Sequence, residues 1–147
     1  MGLTLMLIGA VNCGKSTLCR ALQDMSPLEK KTQTIEVIGS CLDTPGEYLQ
    51  NPRLNRALLV SAAQADVILL IQSSTAEENY FPAGFASMFY GKTVYGVISK
   101  IDLVNAEKDL DGAKDILRLA GVCKIFSVSA LKGQGLAPLQ KELRSAT

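Results

Sequence analysis

Nine residues, Gly9-Ala10-Val11-Asn12-Cys13-Gly14-Lys15-Ser16-Thr17, restrict this chain more than any other stretch. They follow an apolar run, Leu3-Thr4-Leu5-Met6-Leu7-Ile8, and precede a segment of helical spacing from Thr17 to Gln23. The order is strand, glycine-bounded loop, helix N-terminus, and it carries G-x-x-x-x-G-K-[ST]. Gly9 and Gly14 let the backbone curl so that successive N–H groups aim inward at phosphate oxygens. The helix starting near Lys15 adds unpaired N–H groups and the positive end of its dipole. Lys15 has the reach for β- and γ-phosphates, and the Ser16 hydroxyl is a ligand type for Mg²⁺. An ordinary strand–helix turn with an exposed lysine would need none of this spacing. The loop is therefore expected to hold a nucleoside triphosphate.

The chain contains no histidine, which excludes histidine general bases, Ser-His-Asp triads and nearly all zinc hydrolase chemistry. Catalysis would have to run on Lys, Ser/Thr, Asp/Glu, backbone amides and a metal ion. Four cysteines, Cys13, Cys19, Cys41 and Cys123, form no C-x-x-C pair. Neither a zinc site nor a redox pair is expected, and four free thiols in a reducing compartment are. With 15 basic against 14 acidic residues, net charge gives no reason to expect a nucleic-acid or membrane surface. The opening apolar run is too short for a signal peptide, and no stretch approaches a membrane span. The expected place of action is the cytoplasm.

A single domain over residues 1–147 is expected, with strands and helices alternating. Val67–Ile71, Lys92–Ile98 and Ile125–Val128 read as further buried strands, and Leu54–Ala63, Leu110–Ala120 and Leu136–Arg144 as helices, with Gly121 as a C-terminal stop. Pro82–Tyr90 reads as a short amphipathic helix, and Thr34–Val37 with Ser40–Asp43 as a hairpin around Gly39. The pattern implies an α/β three-layer sandwich with a mostly parallel central sheet, and the phosphate-loop motif within it points to a P-loop NTPase architecture. Ligands in such folds sit beyond the carboxyl ends of the strands, where every polar motif of this chain falls.

Asp43-Thr44-Pro45-Gly46 is D-x-x-G, a carboxylate suited to Mg²⁺ through water and a Gly46 N–H suited to the γ-phosphate. Asp with Pro-Gly also makes a plain turn, and position favours the functional reading. Ser99-Lys100-Ile101-Asp102 resembles N-K-x-D with Ser for Asn. A carboxylate at Asp102 accepts both guanine N1–H and N2–H₂, and the Lys100 stem can lie flat over the base. Ser99 is shorter than Asn, which predicts a looser base site. Ser129-Ala130-Leu131 follows the last strand, where the Ala130 N–H would meet guanine O6. Thr32, in preference to Thr34, is the candidate to close on Mg²⁺ and the γ-phosphate. Asn12 suits either a K⁺ ion held against the phosphates or its own backbone.

Taken in order, these motifs resemble a small GTPase of the Ras/Era superfamily over almost the whole chain. Lys31-Thr32-Gln33, Asp43 to Tyr48, Phe81 to Gly84 and Ser99 to Asp102 are more narrowly similar to the EutP/PduV family. That resemblance implies GTP/GDP and Mg²⁺ as ligands, with Lys15, Thr32, Gly46 and Glu47 as catalytic positions. It also implies a link to bacterial microcompartments that degrade ethanolamine or propanediol, with a shell or enzyme protein as partner. An acetate-kinase type of phosphotransfer, or a nucleotide-gated adaptor, stand as alternatives. Glu47 replaces the water-orienting Gln of Ras-like enzymes and Val11 replaces a loop Gly, which together predict slow turnover. No arginine finger is legible; Arg20, Arg53 and Arg56 read as solvent-facing.

Overall fold

The apolar runs on either side of the phosphate loop's strand build the centre of a parallel sheet. A computed structural model describes residues 3–10, 13–23, 38–43, 53, 55–75 and 81–145. Five strands, β1 (Leu3–Gly9), β2 (Ile38–Asp43), β3 (Val67–Ser73), β4 (Thr93–Ser99) and β5 (Ile125–Ser127), lie in the order β2-β1-β3-β4-β5. Every neighbouring pair is parallel. Register brings the strand ends together: Gly9 pairs with Ile71, and Ser73 with Ser99. The sheet order reverses at β1, so the crevice beyond the ends of β1 and β3 is where this architecture places ligands.

The helices α1 (Lys15–Gln23), α2 (Asn55–Ala62), α3 (Asp111–Ala120) and α4 (Leu136–Ser145) complete the described elements with three 3₁₀ turns, Phe85–Phe89, Ile101–Leu103 and Glu107–Leu110. Side-chain alternation along the strands sorts them into layers. Met6, Ile8, Ile68, Leu70, Val94 and Ile98 face α2 and α3 through Leu58, Ala62, Ala113, Leu117 and Ala120. Leu5, Leu7, Leu69, Ile71, Tyr95 and Val97 face α1 and α4 through Leu18, Leu22, Leu136, Leu139 and Leu143. Both faces of β1 and β3 are therefore dry, which is why these strands read as unbroken apolar runs. The three-layer parallel α/β sandwich is as expected. Gly121 ends α3 in the left-handed region at φ 98°, also as expected.

The hairpin around Gly39 does not form. Gly39 lies inside β2, which pairs in parallel with β1, and the register steps from Leu3↔Ile38 to Thr4↔Ser40. The glycine is the extra residue of a bulge, a place where strand interiors use it, rather than a turn. Residues 34–37 lie outside the described residues. The segment expected as an amphipathic helix at Pro82–Tyr90 is a 3₁₀ turn, Phe85–Phe89, entered through Gly84 at φ 78°. Phe81, Phe85 and Phe89 stack edge to face at 5.4 and 5.8 Å, so ring packing sets its geometry. Cys19, expected as a free thiol, is disulfide-bonded, while Cys13 and Cys123 are free. Spacing along the chain reports local thiol pairs; a bridge made by α1 depends on what the fold packs against it.

One ionic contact ties β4, β5 and α4 together. Glu142 accepts from Lys124 Nζ at 2.7 Å and from the Tyr95 hydroxyl at 3.1 Å. The hydrogen bond from Lys124, then that from Tyr95, hold the Glu142 carboxyl below its ordinary value. A lowered folded value contributes stability above the unfolded pKa and loses it as pH falls through the folded one. Thermal melts of Glu142→Gln at about pH 7 and about pH 3.5 are expected to differ less than those of the unmodified chain. An unchanged difference would remove Glu142 from the acid response.

Candidate functional site

The site is built where four strands end. At the end of β1, a side chain on Gly9 would collide with the Cys13 thiol and the Ile71 carbonyl, so only glycine lets the loop leave the sheet this closely. Cys13 N–H donates to Ala10 O at 3.2 Å, and Gly14 takes φ 94°. Leu18 N–H then donates to Gly14 O at 2.9 Å, closing the first turn of α1. The amides at the start of α1 point out of the helix end toward the loop, as helix geometry requires.

Lys15 stands at that helix start and is 8% exposed. Its Nζ donates to Gly9 O at 2.9 Å and Ala10 O at 3.2 Å, and lies 3.8 Å from Cys13 Sγ. An ammonium inside a loop of backbone groups is the charge a polyphosphate would meet. Cys13 points into the core beside α1 and α4. Burial pushes its thiol up, against the pull of the Lys15 and Lys100 charges, so it is a packing group and not a nucleophile. Ser16 and Thr17 are exposed on the first turn of α1.

The second half of the site hangs from β4. Ser99 ends that strand, and its hydroxyl donates to Cys13 O at 2.7 Å, across 86 residues of sequence. The loop before α1 approaches closely enough for this hydroxyl, shorter than an Asn side chain, to reach its backbone. Lys100 follows at φ 60°, among the described residues the non-glycine with a left-handed backbone. Such a conformation persists where its surroundings hold it. Here Ser74 Oγ donates to Lys100 O at 2.7 Å and Ser74 N–H to Ser99 O at 2.9 Å. The turn aims the Lys100 stem over the loop, its Cε 3.7 Å from where a Gly14 Cβ would stand.

Asp102 sits on the 3₁₀ turn after Lys100 and accepts from Ser129 Oγ at 2.7 Å. Ser129 is fully buried and is itself fixed, accepting from Lys132 N–H at 3.2 Å. One carboxylate oxygen is therefore oriented by Ser129, and Asp102 itself lines a cavity. The cavity measures about 270 Å³ and is lined by Cys13, Gly14, Thr17, Leu18, Ser99, Lys100, Asp102, Leu103, Val128, Ala130 and Leu131. Its walls are mostly apolar with a few convergent polar groups, the usual make-up of a small-molecule site.

The structure thus brings together Gly9, Ala10, Cys13, Gly14, Lys15, Ser16 and Thr17 with Ser99, Lys100, Asp102, Ser129, Ala130 and Leu131. Asp43 ends β2 opposite Leu7 of β1, at the same edge of the sheet. Its side chain, with Val11, Asn12, Thr32, Gly46 and Glu47, lies outside the described residues. Sequence reasoning missed Ser74, Leu103 and Val128. Ser74 belongs to no motif, and its only signal is a small hydroxyl just beyond a buried strand. Val128 reads from the sequence as the end of the last strand, and the fold turns that end into a cavity wall.

Residues 3–145 match the family model PduV-EutP, described as ethanolamine utilisation and propanediol utilisation. The propanediol utilization protein PduV of Citrobacter freundii is 36% identical over 132 residues, covering 90% of this chain and 87% of that protein. A protein of Escherichia coli strain K12 named "Probable acetate kinase EutP" is 35% identical over 142 residues, covering 95% and 88%. GTPase Era of Afipia carboxidovorans is 33% identical over 159 residues, covering 95% of this chain but 52% of Era. Among solved structures, the FeoB G-domain of Methanococcus jannaschii superposes with a TM-score of 0.64 at 27% identity, covering 99% of this chain and 98% of that domain. Era in complex with MgGDPNP and a 16S ribosomal RNA fragment superposes with a TM-score of 0.65 at 22% identity, covering 98% of this chain and 56% of Era.

Proposed function

This chain belongs to the PduV–EutP family and is a small GTPase-like protein, and from that premise we propose that it binds guanine nucleotide with Mg²⁺ and hydrolyses GTP slowly. The observation that carries the reading is the pairing of two half-sites. A buried Lys15 whose ammonium is held by the Gly9 and Ala10 carbonyls is joined through the Ser99–Cys13 hydrogen bond to a cavity lined by Asp102, whose carboxylate Ser129 orients.

In this reading the loop amides from Ala10 to Ser16 and the Lys15 ammonium hold the phosphates, and Asp102 accepts from guanine N1–H and N2–H₂. Ala130 N–H donates to O6, and Lys100 covers the ring face. Ser16, Thr32 and Asp43 would hold Mg²⁺, which when bound supplies positive charge against the β- and γ-phosphates. Gly46 would meet the γ-phosphate. Glu47 stands in the sequence where a neutral amide would orient water best, and Val11 where a glycine would leave it room, which supports slow turnover. K⁺ beside Asn12 would raise it. The family's link to ethanolamine and propanediol utilisation supports a place alongside the microcompartment of that degradation, with a shell or enzyme protein as the proposed partner. No described helix is long and apolar enough to cross a membrane.

Calorimetric titration with GDP, a GTP analogue and an ATP analogue in Mg²⁺ tests the base preference, and phosphate release in K⁺ and in Na⁺ tests turnover. The expected result is a guanine preference of at least tenfold and faster release in K⁺. ATP bound as tightly as GTP would remove the guanine reading. A second reading, γ-phosphate transfer to a small carboxylate, is favoured by the name "Probable acetate kinase EutP" that the Escherichia coli relative carries. Acyl phosphate trapped as hydroxamate with acetate present would support it, and its absence would leave hydrolysis alone.

A further inference from the structure

We propose that the base cavity leaves N7 of its purine unread, because Ser99 commits its one hydroxyl proton to the phosphate loop. The inference rests on the guanine reading above and sharpens it to the choice among purine analogues. Direction is unambiguous at this contact: a carbonyl oxygen carries no hydrogen, so in the 2.7 Å bond to Cys13 O the Ser99 hydroxyl must donate. Ser99 is 5% exposed and the bond is short, so the proton is not shared with solvent. A hydroxyl has one proton and two lone pairs. What Ser99 turns to the cavity is therefore lone pairs alone.

Guanine presents two kinds of edge to such a wall. N1–H and N2–H₂ are donors and match the Asp102 carboxylate. O6 is an acceptor and matches an N–H, that of Ala130. N7, the next acceptor round the ring, requires a further donor, and Ser99 has none left to give. A side chain with two protons, such as an amide, would tie the loop and still donate to the base. Ser99 keeps the mechanical link between the half-sites and gives up base contact at this edge. Its position makes it a specificity-determining residue: analogues altered at N7 pass, while analogues altered at the Asp102 edge do not.

The test is displacement of a fluorescent guanine nucleotide from the full chain by GDP, 7-deaza-GDP, IDP and ADP. The expected result is 7-deaza-GDP within threefold of GDP, with IDP, which lacks the 2-amino group, at least fivefold weaker. A loss of more than threefold on 7-deaza-GDP overturns the inference, since it demonstrates a donor at N7. IDP or ADP binding as tightly as GDP instead defeats the guanine reading, and is distinguishable by its own arm. In Ser99→Asn, 7-deaza-GDP is expected to fall at least fivefold behind GDP; a variant that binds GDP and keeps the two within threefold overturns the assignment to Ser99. Ser99→Ala is expected to weaken GDP and 7-deaza-GDP by the same factor, and the unmodified chain's ratio decides the matter should either variant fail to fold.

Discussion

Lys15→Ala is expected to weaken GTP binding by about 100- to 1,000-fold, the effect of losing charge-assisted hydrogen bonds to two phosphates at about 1.5–3 kcal/mol each. The size of the loss follows from where the ammonium stands. Its Nζ is held by two loop carbonyls, Gly9 O and Ala10 O, at the centre of the bend that would enclose the phosphates. A lysine stem can turn from those carbonyls to phosphate oxygens without moving the backbone, and alanine leaves no charge to turn. The substitution also strips the two carbonyls of a donor, at about 1 kcal/mol for each typical bond. For a chain of this length that corresponds to a fall in Tm of roughly 3–8 °C. Calorimetry with a non-hydrolysable GTP analogue and a thermal melt separate the two effects. GTP affinity within threefold of the unmodified chain would mean that the loop does not hold the polyphosphate at all.

How far the site could be read from letters depended on whether its geometry is local. The loop is a contiguous run whose shape lies in its own backbone, so the places of Gly9, Gly14 and Lys15 were legible from spacing alone. The buried strands were legible because both faces of β1 and β3 are dry, leaving no alternation to misread. Gly39 was not, because a glycine in a β-rich stretch marks a turn or a bulge with equal ease. What decided it was the pairing of β2 with β1, a contact that no local pattern contains. The disulfide at Cys19 was hidden for the same reason.

Ser99 shows the limit most clearly. Its departure from N-K-x-D looks like a defect when judged by side-chain length. The fold supplies the missing reach by drawing Cys13 O to 2.7 Å, and so converts a shorter side chain into a link with one proton fewer. Ser74, which braces the left-handed Lys100, lies beyond any motif because it acts on a carbonyl 26 residues away. Residues that set the shape of this site are thus read from contacts, and the candidate ligand-binding residues from spacing.

Asp102→Asn is expected to lower GDP affinity by about 100-fold and to raise the preference for xanthosine diphosphate over GDP by more than that, since each charged hydrogen bond contributes about 1.5–3 kcal/mol and a mispaired one adds a penalty. The direction follows from Ser129. Its hydroxyl donates to Asp102 Oδ1 at 2.7 Å, so the amide introduced by the substitution keeps its oxygen on that side. The amide –NH₂ then faces the base. Guanine offers donors there, N1–H and N2–H₂, and donor meets donor in a cavity whose other walls are mostly apolar. Xanthine carries a carbonyl in place of the 2-amino group, and that oxygen accepts from the new –NH₂. Displacement assays with GDP and xanthosine diphosphate on both proteins read the reversal directly. Ser129→Ala offers an internal control: with the orienting hydroxyl gone, the carboxylate remains but rotates freely, so GDP weakens by a smaller factor and xanthosine diphosphate gains nothing. A variant Asp102→Asn that bound GDP within threefold of the unmodified chain would show that this carboxylate does not face the base.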